Sequence, residues 1–161
     1  MLLIDTREKN SAIGKITAYF DTQGVQYDRT KLYIGDYMYL DNPTVVIDRK
    51  RTINELVSNC TGDSQRFKAE LERAKAAGVS IIFLVEQNRY TDRGKVVSVK
   101  SISDLILWEP KYGRIRGEQV YRILAGWMYK YPIRIEFCDK RSTGRRIIEL
   151  LDEGRNNGEG E

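Results

Sequence analysis

Gly35-Asp36, eleven further residues and then Asp48-Arg49-Lys50 form the part of this sequence whose residue types and spacing can do chemistry. Asp48 and Lys50 end the β-branched run Val45-Val46-Ile47. Residues two apart on a strand project to one face, so both side chains can enter one pocket. Asp36 follows a glycine between two short strand-like pieces, at a second strand end. Two carboxylates and an ammonium suit hydrolysis of a phosphodiester. The carboxylates of Asp36 and Asp48 can hold Mg²⁺ or Mn²⁺, with waters, a backbone carbonyl near Arg49 and a phosphate oxygen completing its shell. Lys50 then orients or helps deprotonate the attacking water, or stabilises the pentacovalent phosphate. Neighbouring carboxylates repel, so without a cation at least one is expected to titrate above its ordinary range. A D-x-K triplet with an upstream aspartate also arises by chance, and a surface ion pair between Asp48 and Lys50 would account for it.

The rest of the composition narrows this chemistry. The chain has no histidine, which removes Ser-His-Asp and Cys-His nucleophiles and every His-ligated metal site. Its two cysteines, Cys60 and Cys138, are far apart and cannot close a structural zinc site alone. A bound cation should therefore be a hard, oxygen-liganded one, and no small-molecule cofactor is expected. No secretory leader pattern opens the sequence and no apolar run is long enough to cross a bilayer. The expectation is an intracellular protein, cytoplasmic in a bacterial or phage-infected cell, or nuclear if eukaryotic, with no membrane role. Net charge is +4, with basic residues gathered in Arg89, Arg93, Lys95 and Lys100, in Lys111, Arg114, Arg116 and Arg122, and in Lys140, Arg141, Arg145 and Arg146. A polyanionic partner such as DNA fits this clustering, as do ordinary solvated faces.

The elements that must position the pair follow from periodicity. Leu2-Leu3-Ile4 reads as a strand, and Ser11 as the cap of a helix with Ile13, Ile16 and Phe20 on one face. Leu32 to Ile34, Tyr37 to Leu40 and Thr44 to Ile47 read as hairpin or meander strands. Thr52 and Glu55 have capping-box spacing ahead of a short helix, and a longer helix starts near Asp63 or Ser64 with Phe67, Leu71 and Ala74 inward. Gly78 ends it, and Val79 to Val85 is a buried strand. Gln87 to Lys100 reads as a polar, basic loop or excursion and Ser101 to Trp108 as a short helix. Val120, Ile123, Leu124, Trp127 and Met128 make a helical stripe that Pro132 terminates, before a strand from Ile133 to Cys138 and a last helix around Ile147, Ile148 and Leu151. One α/β domain over residues 1–152, with a mixed central sheet flanked by helices on both faces, is expected, followed by a disordered polar tail over 153–161.

The Asp36, Asp48 and Lys50 arrangement has PD-(D/E)xK spacing, and three blocks in order resemble the XPF-type structure-specific nuclease domain: Ile4-Asp5-Thr6-Arg7-Glu8, Ile34-Gly35-Asp36-Tyr37 and Val46-Ile47-Asp48-Arg49-Lys50. That family reads VDxRE, then GDY or GDF, then ERKxxxD. The resemblance continues through Gln65-Arg66-Phe67 and the strand from Ile81 to Glu86, covering Leu2 to Leu151 at decreasing strength. It implies a restriction-endonuclease-like fold and a metal-dependent DNA endonuclease acting on branched, flapped or junction DNA in recombination, repair or phage replication. By the same resemblance Asp5, Asp36, Asp48 and Lys50 form the metal and hydrolysis site, with Arg7, Glu8 and Arg49 around it. Asp48 replaces the family's glutamate, and the terminal acid of the motif falls on Asn54 by strict count or on Glu55 if Arg51 is an insertion. Glu55 serves equally well as the closing acid of the capping box. Arg66 is either a phosphate contact or an exposed helical arginine. Tyr33, Tyr37, Tyr39, Trp108 and Tyr112 can stack on unpaired bases, although packing a sheet face is their commoner use. Family analogy implies a homodimer, for which the Val120 to Met128 stripe or the last helix is available unless the core claims them. The alternative function is a catalytically inactive DNA-binding or scaffold protein of the same fold.

Overall fold

The computed structural model describes residues 1–62 and 64–158. A six-stranded mixed sheet runs through its centre, built from β1 (Leu2–Asp5), β2 (Tyr27–Thr30), β3 (Tyr37–Tyr39), β4 (Asn42–Lys50), β5 (Ser80–Val85) and β8 (Ile133–Phe137). Their order across the sheet is β2-β1-β3-β4-β5-β8. The short β3 runs antiparallel to both its neighbours, while β1 pairs with β2, β4 with β5 and β5 with β8 in parallel. The carboxyl ends of β1, β4, β5 and β8 and the entry to β3 therefore meet at one edge. Ligands of open α/β sheets gather at such an edge.

Alternation along β4 and β5 sorts the core into two layers. Val46, Ile81, Phe83 and Val85 face α2 (Ile53–Cys60), α3 (Ser64–Ala76) and α4 (Gly117–Lys130). Ile47, Ile82 and Leu84 face α1 (Asn10–Thr22) and α5 (Thr143–Gly158), whose Ile147, Leu150 and Leu151 are buried with Ile13, Ile16 and Phe20. The mixed sheet covered by helices on both faces is thus the architecture that the periodicity predicts. The stripe on α4 is spent on the core, since Val120, Leu124 and Trp127 are buried, and Met128 stands partly outside it. Tyr37, Tyr39 and Trp108 are packing residues too, whereas Tyr33 and Tyr112 are exposed.

Several local expectations are corrected. Leu32 to Ile34 is not a strand: the chain bends there, and β2 lies earlier, where it extends the parallel edge beside β1. Ser11 lies inside the first turn of α1, and Lys9 occupies the cap position without a side-chain hydrogen bond. The basic segment after β5, expected as a loop or excursion, is an excursion with order of its own, a hairpin of β6 (Arg89–Asp92) with β7 (Lys95–Ser98), turning through Arg93 and Gly94 at φ 48° and 80°. Two successive positive φ values match the right-handed twist of the flanking strands. Tyr90 Oη anchors the hairpin by donating to the Asp104 carbonyl at 2.6 Å. The tail expected from residue 153 is helical as far as Gly158, because α5 continues and seats Gly154 against Val45, where a Cβ would lie 2.9 Å from a methyl group. Residues 159–161, and Asp63 at the expected start of α3, lie outside the described residues.

Gly35 determines where Asp36 stands. It has φ +71°, and a Cβ there would lie 3.0 Å from both the Ile47 carbonyl oxygen and the Val46 side chain. Gly35→Ala is therefore expected to lower stability by about 2 kcal/mol, or roughly 4–8 °C in Tm for a domain of this size. Asn, which tolerates positive φ, should recover little of the loss because the collision persists. Thermal melts of both variants check this, and a fully stable Gly35→Ala would show that the turn is not tight.

Candidate active site

Asp36, Asp48 and Lys50 come together as their spacing predicts. The Asp36 amide donates to the Ile47 carbonyl at 2.7 Å and its carbonyl accepts from the Asp5 amide at 2.8 Å, so the turn is sewn between β1 and β4. Its carboxylate accepts from the Arg49 amide at 2.8 Å, which fixes the side chain beside the end of β4. Asp48 and Lys50 project to the α2 and α3 side of that strand, and the Lys50 ammonium lies 2.7 Å from Asp48 Oδ1. This ion pair is not the solvated surface contact that the triplet alone allows, for both side chains are almost enclosed. The ammonium also sits 5.9 Å and 5.7 Å from the ring centroids of Phe67 and Phe83, whose faces favour a cation.

The electrostatics of the pair follow from that enclosure. Burial, then the charge of Asp48, push the Asp36 carboxyl up to about 8, with the Arg49 amide opposing. Burial also raises Asp48, although Lys50 pulls the other way. Lys50 loses by desolvation but gains more from Asp48, Asp36 and Glu55, and stays above its ordinary value. The repulsion expected of neighbouring carboxylates is present, with loss of hydration as the larger cause.

Arg49 alternates to the opposite face and is buried there. Its Nε and Nη2 donate to Glu8 Oε2 at 2.8 and 2.7 Å, and its Nη1 to Glu86 Oε2 at 3.1 Å. Glu8 also accepts from Tyr37 Oη at 3.0 Å. Both residues lie around the centre as expected, yet as a bracing pair. Glu86 closes the brace and is not predicted from sequence, although an acid directly after an apolar run such as Ile81 to Val85 is a signal for a paired group.

Asp5 is displaced from the role expected of it. It is fully buried, and both carboxylate oxygens are engaged: Oδ1 by the Arg7 amide and Nε at 2.7 Å each, Oδ2 by Arg7 Nη2 at 3.0 Å and the Leu32 amide at 2.7 Å. Burial alone would raise its pKa, but these donors hold it below the ordinary carboxylate value. Asp5 anchors Arg7 and the chain entering Gly35, and offers no lone pair toward a metal. Arg7 itself is largely exposed and feels the charges of Asp36 and Glu70.

Neither candidate for the last acid of the motif bonds to Asp36, Asp48 or Lys50 among the described residues, although the charge of Glu55 raises both Asp48 and Lys50. Asn54 is exposed, and Glu55 Oε2 accepts from the Arg51 amide at 2.8 Å while Thr52 Oγ1 accepts from the Glu55 amide, which is the capping role. Glu70 on α3 is a further acid that approaches and is not among the sequence candidates. Burial and then the charge of Asp48 raise its pKa, and with Arg66, Asn59, Phe67 and Lys50 it lines a cavity of about 230 Å³. The spacing places Glu70 one helical turn beyond Arg66 on the Phe67 side, a signal available once Phe67 is known to point inward. Arg66 is thus beside Lys50, as a phosphate contact requires, and exposed.

Among the described residues no three acidic or sulfur side chains already form a metal-coordinating group. Two all-oxygen carboxylates at an acid-rich, dehydrated edge nevertheless suit a hard divalent cation, which fills its remaining positions with carbonyls, waters and phosphate.

Comparison with known proteins gives a consistent family. The profile of the ERCC4 domain matches residues 4–151. XPF from Aeropyrum pernix superposes with a TM-score of 0.64 at 21% identity, over 96% of this chain and 64% of that one. XPF from Aeropyrum pernix in complex with DNA gives 0.60 at 20% identity, over 97% and 65%. The chain spans about two thirds of the length of these solved relatives, and no curated protein sequence matches it.

The raised Asp36 carboxyl makes metal-free stability depend on pH. With a folded value of about 8 above an ordinary 3.8, the folded chain holds a proton that the unfolded chain releases, so stability falls as pH rises across that window. In EDTA, Tm should fall from pH ~5 to ~8, and Asp36→Asn should melt a few degrees above wild type at pH ~8 while converging with it at low pH. Parallel melting curves for the two proteins would contradict the assignment.

Proposed function

The chain belongs to the ERCC4-domain family, and from that premise we propose that it is a metal-dependent DNA endonuclease that hydrolyses phosphodiesters in branched, flapped or junction DNA, working with Mg²⁺ or Mn²⁺. The observation that carries this reading is the convergence of two dehydrated carboxylates, Asp36 and Asp48, with an ammonium 2.7 Å from one of them at the ligand-binding edge of the sheet. A structural ion pair would not need the second carboxylate, whose presence without a cation costs stability. That a solved relative was captured in complex with DNA supports DNA as the partner.

Asp36 and Asp48 are the residues that would hold the cation. When bound, it lowers the pKa of the attacking water and neutralises charge developing on the phosphate. Asp36 must give up the proton that its carboxyl retains near neutral pH before it can serve, which couples metal binding to proton release. Lys50, held charged by Asp48 and by the faces of Phe67 and Phe83, is suited to stabilise the pentacovalent phosphate and to orient the water, and unsuited to take its proton. Glu70, which lines the same cavity as Lys50, would accept a hydrogen bond from that water. Arg49, Glu8 and Glu86 keep the end of β4 rigid, and Arg66 meets a phosphate next to the one cut.

Purified protein with labelled fork, flap, junction and linear DNA in Mg²⁺ or Mn²⁺ should cut the branched forms preferentially. Asp48→Asn should lose about 10²-fold or more in rate, and Lys50→Met a similar factor, without loss of DNA binding. Wild-type protein that binds these DNAs yet cuts none in either metal would leave the inactive DNA-binding or scaffold reading in place of the enzyme.

A further inference from the structure

A second cleft, of about 240 Å³, opens on the other side of the same strand end. Its floor is the Arg49 and Glu86 pair, and its rim carries Lys15 from α1, Arg51 from the turn after β4, and Lys140 from the turn before α5, with Ser11 beside them. Arg49 is shared between Glu86 at 3.1 Å and Glu8 at 2.7 Å, so the floor has no cation to spare and the rim alone supplies positive charge. The rim cations are exposed, and among the described residues none of the three has a carboxylate within ion-pair reach. Three like charges converging on one concavity from three separate elements repel one another, which is unfavourable unless an anion lies between them.

Chain alternation fixes where this cleft stands relative to the chemistry. Asp48 and Lys50 project to the α2 and α3 face of β4, and Arg49 to the α1 face, so the cleft and the acidic centre flank one strand end and share one edge of the sheet. A polyanion lying across that edge meets both. Two flexible ammonium groups and one guanidinium fork around a hydroxyl are the donors that phosphate oxygens take, and no aromatic ring lines the cleft for a base to stack on.

We propose that the cleft formed by Lys15, Arg51 and Lys140 is a seat for a backbone phosphate of the substrate DNA other than the one being cut. This rests on the reading of DNA as substrate, but not on the chain being an active nuclease. The seat supplies affinity and register and takes no part in bond breaking, because β4 itself separates it from Asp48 and Lys50. Either strand of a duplex arm or the unpaired strand of a junction can furnish the phosphate.

The test is equilibrium binding of the whole chain to a fluorescent duplex and to the matching single strand, in EDTA so that nothing is cut, over a series of salt concentrations. The triple variant Lys15→Ala, Arg51→Ala, Lys140→Ala is compared with Lys68→Ala, Lys75→Ala, Lys130→Ala, which removes the same net charge outside the cleft. The cleft variant should bind at least one of the two DNAs about tenfold more weakly than the control, with a salt dependence shallower by about 0.9 for each phosphate that is no longer neutralised. The DNA that suffers identifies the strand seated there. Lys15→Arg with Lys140→Arg should retain binding, and an unchanged Tm verifies folding, since all three side chains are exposed. Equal affinities and equal salt slopes for cleft and control variants would overturn the proposal. Absence of cleavage in metal would count against the nuclease reading and leave this result untouched.

Discussion

The Arg49 guanidinium is enclosed between Glu8, from the turn after β1, and Glu86, from the end of β5, while its amide holds the Asp36 carboxylate. One residue therefore ties four segments of chain to the point where the functional side chains emerge. Removing one member of such a buried set typically costs about 3–5 kcal/mol because it strands the partners' charge, even where the intact set adds little net stability. Its effect is on register. A slip of β4 by one residue would turn Asp48 and Lys50 toward α1 and drive Arg49 into the apolar layer of Phe67 and Phe83, away from both of its acids. The brace makes that alternative prohibitively unfavourable, and so decides which side of the sheet carries the chemistry.

Much of this is local and therefore legible in the sequence. The β-branched run into Asp48-x-Lys50 fixes both strand and face by a period of two, and the Gly-Asp pair fixes a turn. The helices α3 and α4 announce their inward faces through Phe67, Leu71 and Ala74 and through Val120, Leu124 and Trp127. What the sequence does not carry is how many lone pairs a carboxylate has left after folding. Asp5 and Asp36 look alike as strand-end acids, but Asp5 spends both oxygens on Arg7 and on the Leu32 amide, 27 residues away. That contact depends on how the chain bends between β2 and Gly35, where periodicity has no information. Glu70 is hidden for the complementary reason: its approach to Lys50 exists only because Phe67 packs on Phe83, a contact between a helix and a strand.

Glycine misleads in the tail for a related reason. A polar, glycine-containing end reads as unable to pack, yet Gly154 is where α5 comes close to Val45, and Arg155 lies 4.1 Å over the Tyr39 ring while pairing with Asp41. The missing side chain allows the helix to pass and does not unravel it. The basic segment after β5 is misread in the opposite sense, because Arg93 at positive φ is an uncommon hairpin residue and the strands on either side are mostly polar. Its order comes from Val99, buried at its base, and from the half-buried Tyr90.

The division of charge across β4 has a consequence for the order of events at this edge. On the α2 and α3 side, Asp36, Asp48 and Glu70 gather near the Lys50 ammonium, with Arg66 beside it, and burial already keeps a proton on Asp36 near neutral pH. A phosphate approaching that side without a cation meets the Asp48 and Glu70 carboxylates in a poorly hydrated site, where such interactions are screened least. On the α1 side Glu86, the acid at the floor of the cleft, shares Arg49 with Glu8, and the charges on the rim are positive. Under the proposed function, attraction of a polyanion and coordination of a divalent ion fall to opposite faces of one strand end. Under that arrangement, weak alignment of a backbone can precede chemistry, and the acidic centre accepts the phosphate only once its own charge is met.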